Sequence, residues 1–471
     1  MTRLLATAGV VVVLALLVAG PVTAQDPPDS LPPVPDSLQV EGLEADSLLA
    51  EGEDSIPPVI RNLPDFGRTG VEGDPGVLRN WDLADLQQAP AITLQELLEP
   101  VAGMLPVRGG DYATPEHITA VGLGGGRVRV FVDGVEELPL DGSVTDLSRV
   151  PLAGVGSVTL RREGGELRIE LESERADEDA RPLTRIEAGT GDLETNLFRG
   201  TFIQPDALGG AVGVGIERID TRGSRGVEQG TLSGVWLRYL RPVGPVTLAA
   251  EVRRGIANID VDELGATEAS RNTWTIRARA GEPGGLRGEV YMANTSLDLD
   301  GGQSLTGVPI RPGRLQRRQF GARGAWDRTT DALSLWARGG ARLFQADGGD
   351  APPIVLPDST GPGTDSFEPA GSPDLRLDLD LGARLAGVGG ASLRLGLDDW
   401  DGTARGIAGL RAWTEPLFGL SAFVELDRGE RGWRPTYRRL PTDSVLADSL
   451  SANFAQPATR FTDREMTRVG A

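Results

Sequence analysis

The chain has 471 residues, a formal net charge of −21, one histidine and no cysteine. That acidic balance excludes a nucleic-acid binder, which needs net positive surface against phosphates. The missing cysteine and lone histidine exclude a thiolate or imidazole metal cluster and a cysteine nucleophile, leaving only carboxylate sites open.

Met1 to Arg3 is a short positive region, Leu4 to Leu17 is apolar, and Val22 to Ala24 is a small-residue site ahead of Gln25. This pattern predicts a secretory signal peptide over 1–24, cleaved after Ala24. No later stretch is an apolar twenty-mer, so no helical membrane span is expected. Residues 25–57 are rich in Pro, Asp, Glu and Ser and lack the apolar content needed to offset ordering entropy. They are expected to form a flexible periplasmic lead. Within it, Ser37 to Leu43 is either a strand to be added to a partner's sheet edge or plain linker.

Residues 58–172 read as a small α/β unit. Thr93 and Glu96 have capping-box spacing, and Leu94, Leu97, Leu98 and Val101 share one helical face, with Pro100 and Gly103 as stop signals. Arg127 to Val132 alternates and turns at Asp133-Gly134; Ser157 to Arg161 and Glu166 to Leu171 predict a hairpin. The glycines at 122 and 124–126 do not form a phosphate loop, since no strand leads in and no Gly-Lys-Ser/Thr follows. His117 lies in the polar stretch Tyr112–Thr119, as an apex contact or a plain loop residue. A charged boundary at 172–182 closes the unit.

From 183 to 471 apolar and polar side chains alternate with period two, as in Thr273 to Arg279 and Leu375 to Leu381. About 13–14 strands are expected, separated by turns rich in Gly, Asp, Asn and Pro. Arg277, Arg279, Arg376, Asp378 and Asp380 fit a hydrated lumen, because on a lipid face each would cost a few kcal/mol near the midplane. Several of Trp236, Trp274, Trp326, Trp336, Trp400 and Trp413, with Tyr239, Tyr291 and Phe418, are expected in interfacial aromatic girdles. Connections 296–314 and 345–372 would be extracellular. The fold class expected is therefore mainly β: a small α/β domain followed by an antiparallel transmembrane β-barrel, complete or partial. A soluble β-sandwich or solenoid is the competing architecture.

The segments Ile92 to Leu98, Val101 to Val107, Arg129 to Val135 and Asp146 to Arg161 resemble the plug domain of TonB-dependent outer-membrane receptors. With the signal peptide ahead and the strand run behind, the resemblance covers nearly the whole chain. It implies a cell outer membrane receptor that binds a scarce extracellular ligand, sits in outer-membrane lipid and imports the ligand by energy-coupled plug rearrangement. The implied partner is a TonB-like inner-membrane energy-coupling complex, and Leu38 to Leu43 is the best candidate coupling segment. The family's barrels have 22 strands; about 290 residues follow the plug here, and the chain stops at Ala471 without a terminal aromatic strand, which predicts truncation or a reduced barrel. The alternatives are a passive or structural barrel with a non-coupled plug, and a secreted β-rich hydrolase. For the hydrolase, Asp398/Asp399 point to opposite faces, and Asp378/Asp380 belong to a repeating strand pattern. No catalytic, cofactor-binding or metal-binding residue is assigned.

Overall fold

A computed structural model describes residues 74–470, apart from 124–126, 141–143, 164, 176–180, 224–226, 262–264, 282–284, 301, 304–308, 311–312, 348–372, 401, 417–419 and 434–459. The expected signal peptide, the 25–57 lead with its Leu38–Leu43 segment, Gly124 to Gly126, Phe418 and most of connection 345–372 lie outside the described residues.

The N-terminal unit runs β1 (Val77–Trp81), α1 (Leu83–Gln88), α2 (Leu94–Leu98), β2 (Met104–Arg108), β3 (Glu116–Ala120), β4 (Val128–Val132), β5 (Val135–Glu137), β6 (Val155–Glu163) and β7 (Glu166–Ser173). Asp82 caps α1, accepting from the Asp85 N–H at 2.8 Å. Thr93 caps α2 in the same way, accepting from the Glu96 N–H at 3.3 Å. The Glu96 carboxylate reaches back to the Ile92 N–H, one residue ahead of the cap. Pro100 supplies no N–H to extend α2, and Gly103 takes a φ of 83° to turn the chain. Five strands form a sheet in the order β1-β6-β7-β4-β5, with β4 and β7 parallel; β2 and β3 pair as a separate hairpin. Leu94, Leu97 and Leu98 of α2 pack with Ile118, Val130, Leu160 and Ile169 in one apolar core.

The remaining strands are β8 (Leu183–Thr190), β9 (Asn196–Ala207), β10 (Gly210–Thr221), β11 (Val227–Val243), β12 (Val246–Val261), β13 (Gly265–Gly281), β14 (Leu286–Leu299), β15 (Gly302–Gln303), β16 (Pro309–Ile310), β17 (Gly313–Thr329), β18 (Leu333–Asp347), β19 (Leu375–Leu385), β20 (Gly389–Trp400), β21 (Thr403–Thr414), β22 (Phe423–Trp433) and β23 (Arg460–Gly470). All but the two-residue pair β15–β16 form one 14-stranded sheet, each strand antiparallel to its neighbours in sequence, with β8 and β23 at its edges. Several strands are longer than their alternating segments in the sequence. β13, for example, runs through Gly265–Gly281 rather than from about 271, because the ladder to β12 continues through polar residues.

The faces of this sheet are inverted relative to a water-soluble protein. Phe198, Phe202, Ile276, Val290, Leu379, Leu395 and Leu410 are exposed on one face, while Arg253, Arg277, Glu289, Arg376, Asp398 and Glu425 are buried on the other. The buried, charged face curves around the N-terminal unit, which it touches from β9 to β23.

The turns 208–209, 244–245, 330–332 and 386–388 lie at one end of the wall, and the 191–195 connection between β8 and β9 lies at the other.

The aromatic girdle expectation is corrected in part. Trp236, Trp336, Trp400, Trp413 and Tyr291 are buried on the inner face, while Trp274 and Trp326 are outward. Strand parity decides this: Trp236 shares its face with Arg238, and Trp336 with Arg342, so each ring follows the charged residues inward. Inside, Trp236 occupies the space left by Gly154, and the Trp336 indole N–H donates to Asp380 at 2.9 Å.

Candidate functional site

The interface between the N-terminal unit and the wall is built from guanidinium donors on the wall and oxygen acceptors on the unit. Arg376 holds Glu136 at 2.7 Å, Arg394 holds Glu163 at 3.2 Å, and Arg411 holds Asp74 at 2.8 Å. Arg271 bonds Glu137 through Nε at 2.8 Å and the Leu138 carbonyl at 3.0 Å. Further arginines donate to backbone carbonyls: Arg199 to Ile92, Arg277 and Arg323 to Asp133, and Arg468 to Pro75, each within 3.1 Å. In every one of these pairs the cation belongs to the wall. The fork of an arginine suits this use, since five fixed donors meet carboxylates and carbonyls together.

The Asp133-Gly134 turn is the most heavily engaged point. Burial alone would raise the Asp133 carboxyl, but Arg238, Arg277 and Arg253 outweigh that and hold it well below the usual carboxylate range. Glu136 is held low in the same way: Arg129 and Arg376 overcome its burial. Gly134 has a φ of 79°, a left-handed backbone that favours glycine, and a Cβ there would push aside the Arg323 guanidinium.

At the end of the wall that carries the 191–195 connection, the 109–115 turn joining β2 to β3 and the start of α2 face a groove of about 1120 Å³. It is lined by Arg79, Glu96, Arg108, Tyr112 and Glu116, with the β8–β9 connection opposite. The Tyr112 hydroxyl donates to Glu96 at 2.7 Å, and Arg108 bonds Glu99 at 2.7 Å. Burial, then the Glu96 hydrogen bond, raises the Tyr112 phenol above its usual range. Glu116 is pushed up to about 7, by burial first and by Glu96 and Asp146, against a hydrogen bond from Thr93 and the charge of Arg108. The groove combines both charge signs with an aromatic ring, which suits a polar solute bearing several hydrogen-bonding groups.

No family model matches this chain, and no curated protein is significantly similar to it. Solved structures do match. The FrpB iron transporter from Neisseria meningitidis superposes with a TM-score of 0.55 at 12% identity, over 77% of this chain and 65% of that one. The ferric citrate transporter FecA, unliganded, gives 0.53 at 12% identity over 75% and 62%. The ferric enterobactin receptor PfeA from Pseudomonas aeruginosa, as a double mutant, gives 0.53 at 12% identity over 77% and 62%. This is the fold of a TonB-dependent outer-membrane receptor. The N-terminal unit is its plug and the 14-stranded sheet its barrel wall. The chain spans about two thirds of the length of these structures, 65% for FrpB.

Within that fold, the lumen-facing residues expected from sequence take their places: Arg277, Arg279 and Arg376 are buried, and Arg342 pairs with Asp378. Asp398 faces inward and bonds Arg376, while Asp399 is on the opposite face. His117 is neither an apex nor a loop residue. It lies in β3, buried, with its ring Nδ1 3.0 Å from the Thr145 carbonyl oxygen. Polar neighbours in the sequence gave no sign of this, because the hairpin partner β2 and the 145–147 segment supply its surroundings only in the fold. The arginine-to-plug pairing was also missed. Its signal was present as arginines at alternating positions on one strand face, but their acceptors lie more than a hundred residues away.

Proposed function

We propose that this protein is an outer-membrane receptor that admits a scarce extracellular ligand when its plug rearranges. The observation that carries the reading is the inverted wall around a plug held by polar contacts. An apolar outside suits lipid, and a plug tied by ion pairs and hydrogen bonds can exchange those contacts for water or solute as it moves. The ligand meets the groove beside the 191–195 connection, around Glu96, Arg108, Tyr112 and Glu116. The other end, where Asp74 meets Arg411, faces the periplasm, and the 25–57 lead ahead of it offers a segment for an inner-membrane energy-coupling protein of the TonB type.

The test has two arms. The full chain is incubated with the periplasmic domain of the coupling protein, alongside a form lacking residues 25–57. Capture of the full chain alone supports energy coupling; equal failure of both supports a passive or structural barrel. Ferric chelates are the first ligand probes, since iron, ferric citrate and ferric enterobactin are named for the structures it resembles. Uptake that requires the coupling protein is the expected result.

A further inference from the structure

We propose that the groove beside the 191–195 connection selects an organic cation, a ligand whose amine or guanidinium group is received by Glu116. This rests on that groove being where the ligand meets the receptor, and it names the chemistry of the group that anchors there.

The lining is acidic. Asp85, Glu96, Asp111, Glu116 and Asp192 line the groove, against Arg79 and Arg108 among the described residues. Glu96 is already committed, accepting from the Tyr112 hydroxyl at 2.7 Å and from the Ile92 N–H at 3.0 Å. Arg108 is committed away from Glu116, bonding Glu99 at 2.7 Å and standing 3.8 Å from Glu96.

Glu116 is placed differently. It lines the groove and is 2% exposed, yet its Oε2 has no hydrogen-bond partner. Thr93 supplies one hydrogen bond to the carboxyl, and neither ion pair of Arg108 includes it. A buried carboxylate oxygen without a donor is costly. A charged N–H group arriving from the groove would supply that donor, and such bonds are the stronger kind. Ile92, Leu97, Val101, Leu193 and Leu197 line the same space and would hold an apolar body beside the charge. A bare metal ion suits the groove less well, since no group of three carboxylate or histidine side chains among the described residues could hold one.

The Glu116 carboxyl, pushed up to about 7, must ionise to take a cation, so binding strengthens as pH rises through that value. The charged groups acting on it are Arg108, Glu96 and Asp146, while the Tyr112 phenol, raised above its usual range, keeps its proton throughout. His117, next in β3, turns to the opposite face, toward the Thr145 carbonyl.

The test is isothermal titration calorimetry of the full chain in detergent with three probes of one shape: phenethylamine, phenethyl alcohol and phenylacetate. The amine is expected to bind about tenfold or more tightly than the alcohol, and the carboxylate not at all. Its affinity rises about tenfold from pH 6 to pH 8 as Glu116 ionises. Glu116→Gln removes both the preference and the pH dependence. Arg108→Gln tightens amine binding, because a competing cation is gone, and these opposite signs separate a specific site from loss of fold. Capture by the coupling protein and uptake are read separately, so a barrel that fails them can still bind the amine, and a receptor that passes them can still lack it. Equal binding of the three probes, no binding of the amine, or an amine affinity that survives Glu116→Gln overturns the proposal.

Discussion

Glu116 shows how far a single residue's surroundings set its chemistry. Its side chain is 2% exposed and one carboxylate oxygen has no hydrogen-bond partner. With a value near 7 in the folded plug against an ordinary 4.5, the native state holds an extra proton between those pH values. Stability is therefore full below about pH 4.5 and is lost as pH rises through 7, by an amount on the order of 3 kcal/mol. Hydrogen exchange in β2 and β3, corrected for intrinsic rates, is expected to be less protected at pH 8 than at pH 5. Glu116→Gln flattens that difference; a variant that keeps the full pH dependence removes Glu116 as its cause. At the Asp133-Gly134 turn, Gly134→Ala combines a left-handed backbone with displacement of Arg323. A loss of about 1–3 kcal/mol is expected, read from urea unfolding in detergent.

At the scale of elements, β5 and β19 are joined through one side chain. Arg376 bonds Glu136 of the plug and, at 2.8 Å, Asp398 of β20. Arg376→Met leaves Glu136 to Arg129 alone and strips Asp398 of this partner. A loss of about 3–5 kcal/mol is expected, because removing one member strands buried charges. Faster exchange in β5, with β1 and β6 little changed, would check it. The contrast is Arg218–Asp220, which is largely solvent-exposed, where Arg218→Met should change little. The strands themselves were legible in the sequence because each carries its own period-two pattern. Their ends were less so. The register of β12 on β13 continues past the last alternating residue, and only the neighbouring strand determines where pairing stops.

At the scale of the whole molecule, the exposed face of the wall is apolar, as a lipid-facing surface requires. Leu395 is 40% exposed at the middle of β20 and flanked by inward Arg394 and Gly396. Leu395→Arg is expected to lower stability in liposomes by about 2–4 kcal/mol if it sits near the midplane. Unchanged insertion and folding of that variant would argue against lipid on this face. Two edge strands, β8 and β23, bound the sheet. Unpaired backbone at such an edge is expensive in hydrocarbon, since no water is present to satisfy it.

The sequence by itself determined the strand repeat, the acidic plug turn at Asp133-Gly134, the Thr93 cap and the inward placement of Arg277, Arg376 and Asp378. Each is a local pattern, set by spacing of two or by the few residues around a cap or turn. Only the tertiary structure decided which residues those arginines hold, that Trp236 and Trp336 fill the lumen rather than a girdle, and that His117 is buried. Those outcomes depend on which distant segments meet, as with Arg376 and Glu136, 240 residues apart. A residue's own neighbourhood in the chain carries no record of such a meeting.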